Sequence, residues 1–538
     1  MTPSRRAIAL GAVATAGLAA AHPGKTLAAG ALGGGGFSVS GKPGPFVKQV
    51  ASRNPGQGSG GTGAMGLASD AVNAGQYQAA RLRMPQTEAK VAALLTGLDA
   101  RWPYAKSQPL RVHILGVDYY NAYSLADGSI VVAFGLLDQA QSDDEVAFVL
   151  AHELGHVRLG HFARQAAAPS KARLVSRLGQ AFLIGAALHA GGGGAVSAAM
   201  QGAASRADAT NDFLHFLTNV TVEPGHTRAQ EDEADCIGFD LSQAASFAAD
   251  SASARVFDTV QADQQKRAVV TSDLNAQLKQ DLGQAVSKGA AQAFLGGGFS
   301  PGGLGMGLLM GAGRMALAAG VANQPPQHRP PEERKRGVAQ YSTDAYPEGA
   351  PLRDERHVWL TGVRGTSEYA QGKIAVESVN DAKTARGKGD YPTATAAIGK
   401  AAATSFRAAP LVLNEAARLR DDMGDAAGAG ALFVRANASP DQTIDGYLDF
   451  GRMLYRTGQN DRAVTIVQEG TARFNNDPKP FLSLLIAVSK QSGRQDEMAR
   501  YLQQCLAYGD QALAQDCRLA AGQGAQQHKS SPFGLPHL

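Results

Sequence analysis

Cysteine, net charge and long apolar runs are all scarce in this chain of 538 residues. Its three cysteines are too few, and wrongly spaced, for a disulfide scaffold or a zinc ribbon. A net charge of only +4 gives no strong basic field, so nucleic acid is not expected as a partner. What remains is a chain long enough for two or more domains.

The first residues have the pattern of an export signal. Arg5 and Arg6 precede the apolar run 7–21, and small residues suited to cleavage follow. The run is too short and too weak to span a bilayer. The arginine pair resembles a twin-arginine signal, and no cysteine is near enough for a lipid anchor. We predict a signal peptide at 1–29 and an exported, periplasmic protein.

Composition divides the rest of the chain. Gly/Pro/Ser-rich sequence cannot bury enough apolar surface to offset its ordering entropy, so a disordered linker is predicted first. Two charge-poor Gly/Ala-rich insertions, near 174–205 and 291–322, fit either closely packed buried helices or a lid or membrane-surface contact. The predicted order is a linker at 30–74, a globular domain at 75–345, a connecting segment at 346–380, helical repeats at 381–522 and a disordered tail at 523–538.

A repeat occupies the C-terminal third. Glycines recur 34 or 35 residues apart, followed at fixed offsets by a small residue (Met498 in the last repeat), a large apolar residue and another small residue. This pattern is typical of tetratricopeptide helix pairs, in which small residues let the paired helices approach. A generic Ala-rich bundle is the alternative. The recurring glycines are Gly389, Gly424, Gly458 and Gly493.

The last two cysteines are predicted to form a disulfide. The repeat places Cys505 and Cys517 on consecutive helices joined by a short loop, which can bring their Cα atoms within the roughly 4.4–6.8 Å that the bond requires. An oxidising periplasm would let the bond persist. Two buried thiols are the alternative, and Cys236 is expected to stay unpaired.

One H-E-x-x-H motif points to metal chemistry. On a helix, His152 and His156 share one face, so both imidazoles can reach one ion at roughly 2.0–2.1 Å. Glu153 lies beside them, where its carboxylate can take a proton from an activated water. Such residues also occur on solvated helix faces, so the motif alone does not decide the function.

The third ligand separates the classes of zinc peptidase. Gly160 and His161 are each one place away from the metzincin positions, so that scheme is excluded and His161 is expected to be structural. Further on, Glu231 and Asp235 are four apart, which suits a Glu ligand and an Asp that accepts the free N–H of a ligand histidine. Glu233 is a rival ligand, and an acidic solvated helix is the alternative without a metal.

Four segments resemble the HtpX-like and CAAX-prenyl-protease-like gluzincin peptidases. The resemblance covers roughly residues 75–240 and resumes near 325–340. Two residues depart from the family's pattern, Arg329 in place of a usual proline and Cys236 in place of a frequent arginine. The four segments are Asn121 to Leu137, Asp144 to His156, Glu231 to Gly238 and His328 to Arg334.

The resemblance implies an α+β fold, a mostly helical zincin-like domain with a small sheet, followed here by an all-α tetratricopeptide solenoid. It implies one Zn²⁺ per chain, held by His152, His156 and Glu231. It also implies that Glu153 is the general base and that Asp235 supports a ligand histidine.

Further roles follow from the same resemblance. His328 is expected to be an inhibitory fourth ligand or an oxyanion donor, with a plain loop histidine as the alternative. The strand near 129–134 is expected to pair with an extended substrate through Ile130, Val131 and Val132, as in β-augmentation.

The predicted function is an endopeptidase for unfolded or misassembled proteins in envelope quality control. The repeats would hold substrate or the outer-membrane assembly machinery, and membrane-surface contact stays open. The alternative from another class is a periplasmic chaperone or assembly scaffold with a latent metal site; a cell-wall hydrolase is a second rival. Glutamate at 153 favours the peptidase, because an inert metal site needs no general base.

Overall fold

The computed structural model describes residues 45–50, 80–161, 227–266 and 329–523, apart from positions 105, 107–108, 126, 475 and 510. The predicted signal peptide, both Gly/Ala-rich insertions and His328 lie outside these residues. Within them, no helix combines the length and apolar character needed to cross a membrane. The architecture is mostly helical with a small mixed sheet, as the predicted α+β class requires.

A three-stranded sheet forms the β part of the fold. Strands β1 (Arg111–Leu115) and β3 (Ser129–Ala133) are parallel, and β2 (Ala122–Ser124) pairs antiparallel with β3. The order is β1-β3-β2, so β3 is the central strand and is buried along its whole length.

This order corrects the predicted substrate strand. Ile130, Val131 and Val132 pair with β1 on one side and with β2 on the other. Both edges of β3 are therefore occupied, and these residues cannot add a substrate strand. The apolar run that suggested a strand there reflects burial on both faces, and β2 forms the edge of the sheet instead.

Helices surround the sheet in the first half of the chain. Helix α4 begins with an N-cap, in which Ser142 Oγ accepts a hydrogen bond from the backbone N–H of Glu145. Helix α5 begins with a capping box formed by Thr227 and Gln230. Residues 249–266 are also helical. The helices are α1 (Phe46–Gln49), α2 (Pro85–Asp99), α3 (Phe134–Gln139), α4 (Asp143–Leu159), α5 (Arg228–Ala244) and α6 (Pro331–Ala345).

Two glycines bring α4 and α5 into close contact. A Cβ atom added at Gly155 would lie 3.1 Å from Cγ2 of Ile237. One added at Gly238 would lie 3.2 Å from the backbone nitrogen of His152. Side chains at either position would force the helices apart, so the glycines set the spacing on which the site between them depends.

A short ordered segment interrupts the predicted disordered linker. Phe46 and Val50 are buried in the core, and the backbone N–H of Val47 donates to Asp240 on α5. The prediction for 30–74 is therefore wrong at residues 45–50. Phe46 and Val50 pack into the core, which composition averaged over the stretch does not reveal.

The second half of the chain consists of consecutive helix pairs. Each recurring glycine follows the first helix of a pair and adopts positive φ, between 71° and 85°. The small residues at the predicted offsets are buried where the helices meet, as at Ala394, Ala429 and Ala463. These helices are α7 (Val358–Arg364), α8 (Ser367–Gly387), α9 (Tyr391–Ala402), α10 (Pro410–Asp422), α11 (Ala426–Asn437), α12 (Ile444–Arg456), α13 (Asn460–Arg473), α14 (Leu482–Gln491), α15 (Gln495–Ala507) and α16 (Gln511–Ala520).

The first helix pair shares its core with the sheet and the ligand helices. One hydrophobic cluster runs from α4 and α5 through Val376 and Val379 of this pair to Leu411 and Val412, which follow it. Helix α8 begins at Ser367, inside the segment predicted as a connection, because the repeat glycine marks the middle of a pair and not its start.

Cys505 and Cys517 form a disulfide, as predicted, with a Cα–Cα distance of 6.5 Å. The bond joins α15 to α16 at the C-terminal end of the helix pairs. Cys236 is the free cysteine of the described residues, and it is buried.

The disulfide gives a first test. Thiol titration of denatured, unreduced protein should find one free thiol, and three would contradict the bond. Because the closed loop spans 12 residues, reduction should lower the unfolding free energy by about 2–3 kcal/mol. The Cys505→Ala/Cys517→Ala double variant is the control, since reduction should leave its stability unchanged.

Candidate metal centre

Three side chains from α4 and α5 converge on one point. His152, His156 and Glu231 are all buried, and one ligand atom from each lies within 4.8 Å of the others. The two Nε2 atoms are 3.1 Å apart. The Glu231 oxygens lie 3.7 Å from Nε2 of His152 and 3.5 Å from Nε2 of His156.

This donor set fits a zinc ion. Two ligands held at 2.0–2.1 Å in a tetrahedral arrangement lie roughly 3.3 Å apart, close to the observed separations. Two imidazoles and one carboxylate, with a fourth position open, form the ligand set of catalytic zinc sites. The predicted ligands are therefore brought together in the arrangement that the motif spacing requires.

His152 is oriented by a carboxylate behind it. Its Nδ1 lies 2.9 Å from Oδ1 of Asp235, one helical turn after Glu231. Burial disfavours the charged form of Asp235, but the Arg334 guanidinium outweighs this and lowers the pKa of the carboxyl. Burial likewise lowers the pKa of His152, and the contact with Asp235 overcomes this and raises it. Asp235 is thus kept ionised to accept the Nδ1–H of the histidine.

Arg334 is a residue that the sequence argument missed. Its Nε and Nη2 donate to the two oxygens of Asp235 at 2.9 and 2.6 Å, and Nη2 also lies 3.6 Å from Glu231. A buried carboxylate requires such a partner, so the acidic residues of α5 already indicated that a basic residue lies close to them. Arg334 belongs to the same sequence segment as His328, the residue to which the resemblance assigned a role.

Arg329 makes a second link between the same two elements. Its guanidinium donates to both oxygens of Asp232, at 2.9 and 3.0 Å, and both residues are buried. The hydrogen bonds to Asp232 raise the pKa of Arg329, against the effect of burial. The departure from the family's proline therefore adds an ion pair that fixes the start of α6 against α5.

Glu153 lies on α4 and contacts strand β2. It is buried, and Ser124 Oγ donates to its Oε2 at 2.9 Å. Ser124 lies on the edge strand, so the predicted general base is in hydrogen-bond contact with the strand that ends the sheet.

Glu233 and His161 do not belong to the group of three donors. The rival ligand Glu233 does not join the three donors, and its Oε2 lies 3.2 Å from Nε2 of His161. His161 is fully buried, directly after the α4 helix, and its Nδ1 lies 2.9 Å from Nδ1 of His156. It therefore contacts a candidate ligand, which the prediction of a purely structural residue did not include.

Comparison with known proteins agrees with this geometry. Residues 85–303 match the model of peptidase family M48. Metalloprotease LoiP of Escherichia coli (strain K12) is 43% identical over 54 residues, which is 10% of this chain and 21% of LoiP. Metalloprotease YcaL of the same organism is 32% identical over 133 residues, 25% of this chain and 44% of YcaL. The matches thus span less than half of either relative, and the predicted resemblance to gluzincin-type metallopeptidases is confirmed.

The ligand set can be tested without an activity assay. Glu231→Gln keeps the side-chain volume but removes the anionic oxygen, so zinc affinity should fall further than the roughly 10–100-fold typical of an outer partner. Metal content after dialysis against a zinc buffer measures this. Glu332→Gln, an exposed residue of α6, is the matched control. Equal zinc retention by both variants would move the third ligand elsewhere.

Proposed function

We propose that the chain is a zinc-dependent endopeptidase, because residues 85–303 match the model of peptidase family M48. The observation that carries the proposal is the convergence of His152, His156 and Glu231 on one point, with Glu153 next to His152 on the same helix. A structural zinc site normally has four protein ligands, whereas three ligands and an adjacent base suit hydrolysis.

Glu153 performs the proton transfers. A zinc ion at the three donors would supply Lewis acidity, which lowers the pKa of water and polarises the scissile carbonyl. The Glu153 carboxylate accepts the proton of the attacking water and later delivers it to the leaving amine. Ser124, by donating to Oε2, fixes the direction in which the carboxylate points. Asp235 and Arg334 hold the His152 ring in place during these steps.

Strand β2 replaces β3 as the proposed substrate strand. Its inner edge pairs with β3, and no described strand pairs with its outer edge. An extended peptide added antiparallel to Ala122–Ser124 would run past Glu153, since Ser124 already contacts that carboxylate. Recognition through backbone hydrogen bonds demands an extended chain, which favours unfolded or misassembled proteins as substrates.

The helix pairs would form a tetratricopeptide solenoid that holds substrate or a partner. Their period, their positive-φ glycines and the buried small residues all support this assignment. A peptidase domain followed by such repeats resembles the periplasmic β-barrel assembly-enhancing protease. On that resemblance, and on the N-terminal signal pattern, we propose export to the periplasm and a role in envelope quality control. The outer-membrane assembly machinery is the proposed partner of the repeats, and the Gly/Ala-rich insertions are the segments for any membrane-surface contact.

The general base provides the test of hydrolysis. Glu153→Gln should retain zinc and fold but lose cleavage of casein or unfolded porin by about 10²–10⁴-fold, the usual worth of a positioned base. The parent with a chelator and the Glu332→Gln variant serve as controls. Cleavage by Glu153→Gln at the parent's rate would refute the peptidase. If neither protein cleaves but both suppress porin aggregation, the chaperone alternative is correct.

Ser124 gives a second test. Ser124→Ala removes one hydrogen bond to the Glu153 carboxylate, so kcat should fall about 10-fold while KM changes little, consistent with the loss of a hydrogen bond to a charged group. Ser129→Ala is the matched control, because Ser129 is a buried serine of the same sheet and lies on β3. Equal kcat values for the two variants would show that Ser124 does not position the base.

A further inference from the structure

His156 has contacts at both ring nitrogens. Nε2 faces the other two candidate ligands, at 3.1 Å from His152 Nε2 and 3.5 Å from a Glu231 oxygen. Nδ1 lies 2.9 Å from Nδ1 of His161, and Nε2 of His161 lies 3.2 Å from Oε2 of Glu233. The three side chains thus form a line that ends at the metal position.

Metal binding fixes every proton along this line. A histidine that gives the Nε2 lone pair to a metal must carry its proton on Nδ1. His156 therefore donates to Nδ1 of His161, which must accept. His161 then carries its own proton on Nε2 and donates a hydrogen bond to the Glu233 carboxylate. An ionised carboxylate acts only as an acceptor. With a metal on Nε2 of His156 and an ionised Glu233, this arrangement of neutral rings satisfies both contacts.

The chain is built to hold His161 in this position. Gly160 adopts positive φ, 65°, and ends α4, so that residue 161 turns back against the face that carries His156. The carbonyl oxygen of His161 accepts from Nε2 of Gln230, a member of the α5 capping box. The end of α4 and the first turn of α5 are thereby joined at the histidine, which is fully buried.

We propose that Glu233 and His161 are positioning residues that fix the tautomer and ring orientation of His156 as a metal ligand. The inference rests on the proposed metal centre, which it deepens. His152 is held directly by Asp235 with Arg334 behind it, whereas His156 is held through a second imidazole. The two ligand histidines are therefore oriented by separate carboxylates on one helix, Asp235 and Glu233.

Metal affinity at constant pH tests the proposal. His161→Phe keeps an aromatic ring but removes both nitrogens, and Glu233→Ala removes the final acceptor. Each should weaken zinc binding about 10–100-fold, the scale of an outer partner, in competition with a chromophoric chelator. The visible absorption of the Co²⁺ form should change in both variants. Glu233→Gln keeps a carbonyl acceptor and should retain most of the affinity, and Glu332→Ala is the surface control.

The outcomes distinguish a failure of the metal centre from a failure of the positioning role. If the parent binds neither Zn²⁺ nor Co²⁺, the metal centre itself is wrong. If the parent binds both, but Glu233→Ala and His161→Phe keep its affinity and its cobalt spectrum, only the positioning role is overturned. The Glu233 side chain is 13% exposed, whereas that of His161 is fully buried, so Glu233→Ala decides the question if His161→Phe does not fold.

Discussion

The burial of several carboxylates on one helix is the constraint on which the centre depends. Glu231, Asp232 and Asp235 of α5 are all fully buried, and each would be strongly disfavoured there without a partner. Arg329 and Arg334 pair with Asp232 and Asp235, while Glu231 faces the two histidines. Removing one partner of such a buried pair typically costs about 3–5 kcal/mol, because the other charge is left buried without compensation. The carboxylates of α5 therefore depend on the two arginines for their burial.

This arrangement also explains the close contact of α4 and α5. Gly155 and Gly238 let the helices approach until the histidines of one reach the carboxylate of the other. Ser124 of the sheet donates a hydrogen bond to Glu153, the proposed base. The hydrophobic core continues into the first helix pair of the C-terminal half. One hydrophobic core therefore extends from α4 and α5 as far as Val412 at the start of α10.

The local features of the site could be predicted from the sequence because they depend on short spacings. H-E-x-x-H and the pair of Glu231 with Asp235 specify which side chains share a helical face, and the Ser142 cap specifies where α4 begins. Strand order depends instead on contacts between distant segments, so an apolar run could not reveal that Val131 lies at the centre of the sheet. The contact of Arg334 with Asp235 and that of His161 with Glu233 could not be predicted for the same reason. Each joins parts of the chain that only the fold brings together.

Zinc K-edge X-ray absorption of the purified protein tests the central claim most directly. We expect one zinc per chain with two imidazole nitrogens and one carboxylate oxygen at roughly 2.0–2.2 Å, and no sulfur ligand near 2.3 Å. A His156→Ala variant should lose one of the two imidazole contributions or lose the zinc, which would assign the signal to this centre. A parent spectrum with sulfur ligation, or one unchanged by that substitution, would contradict the account.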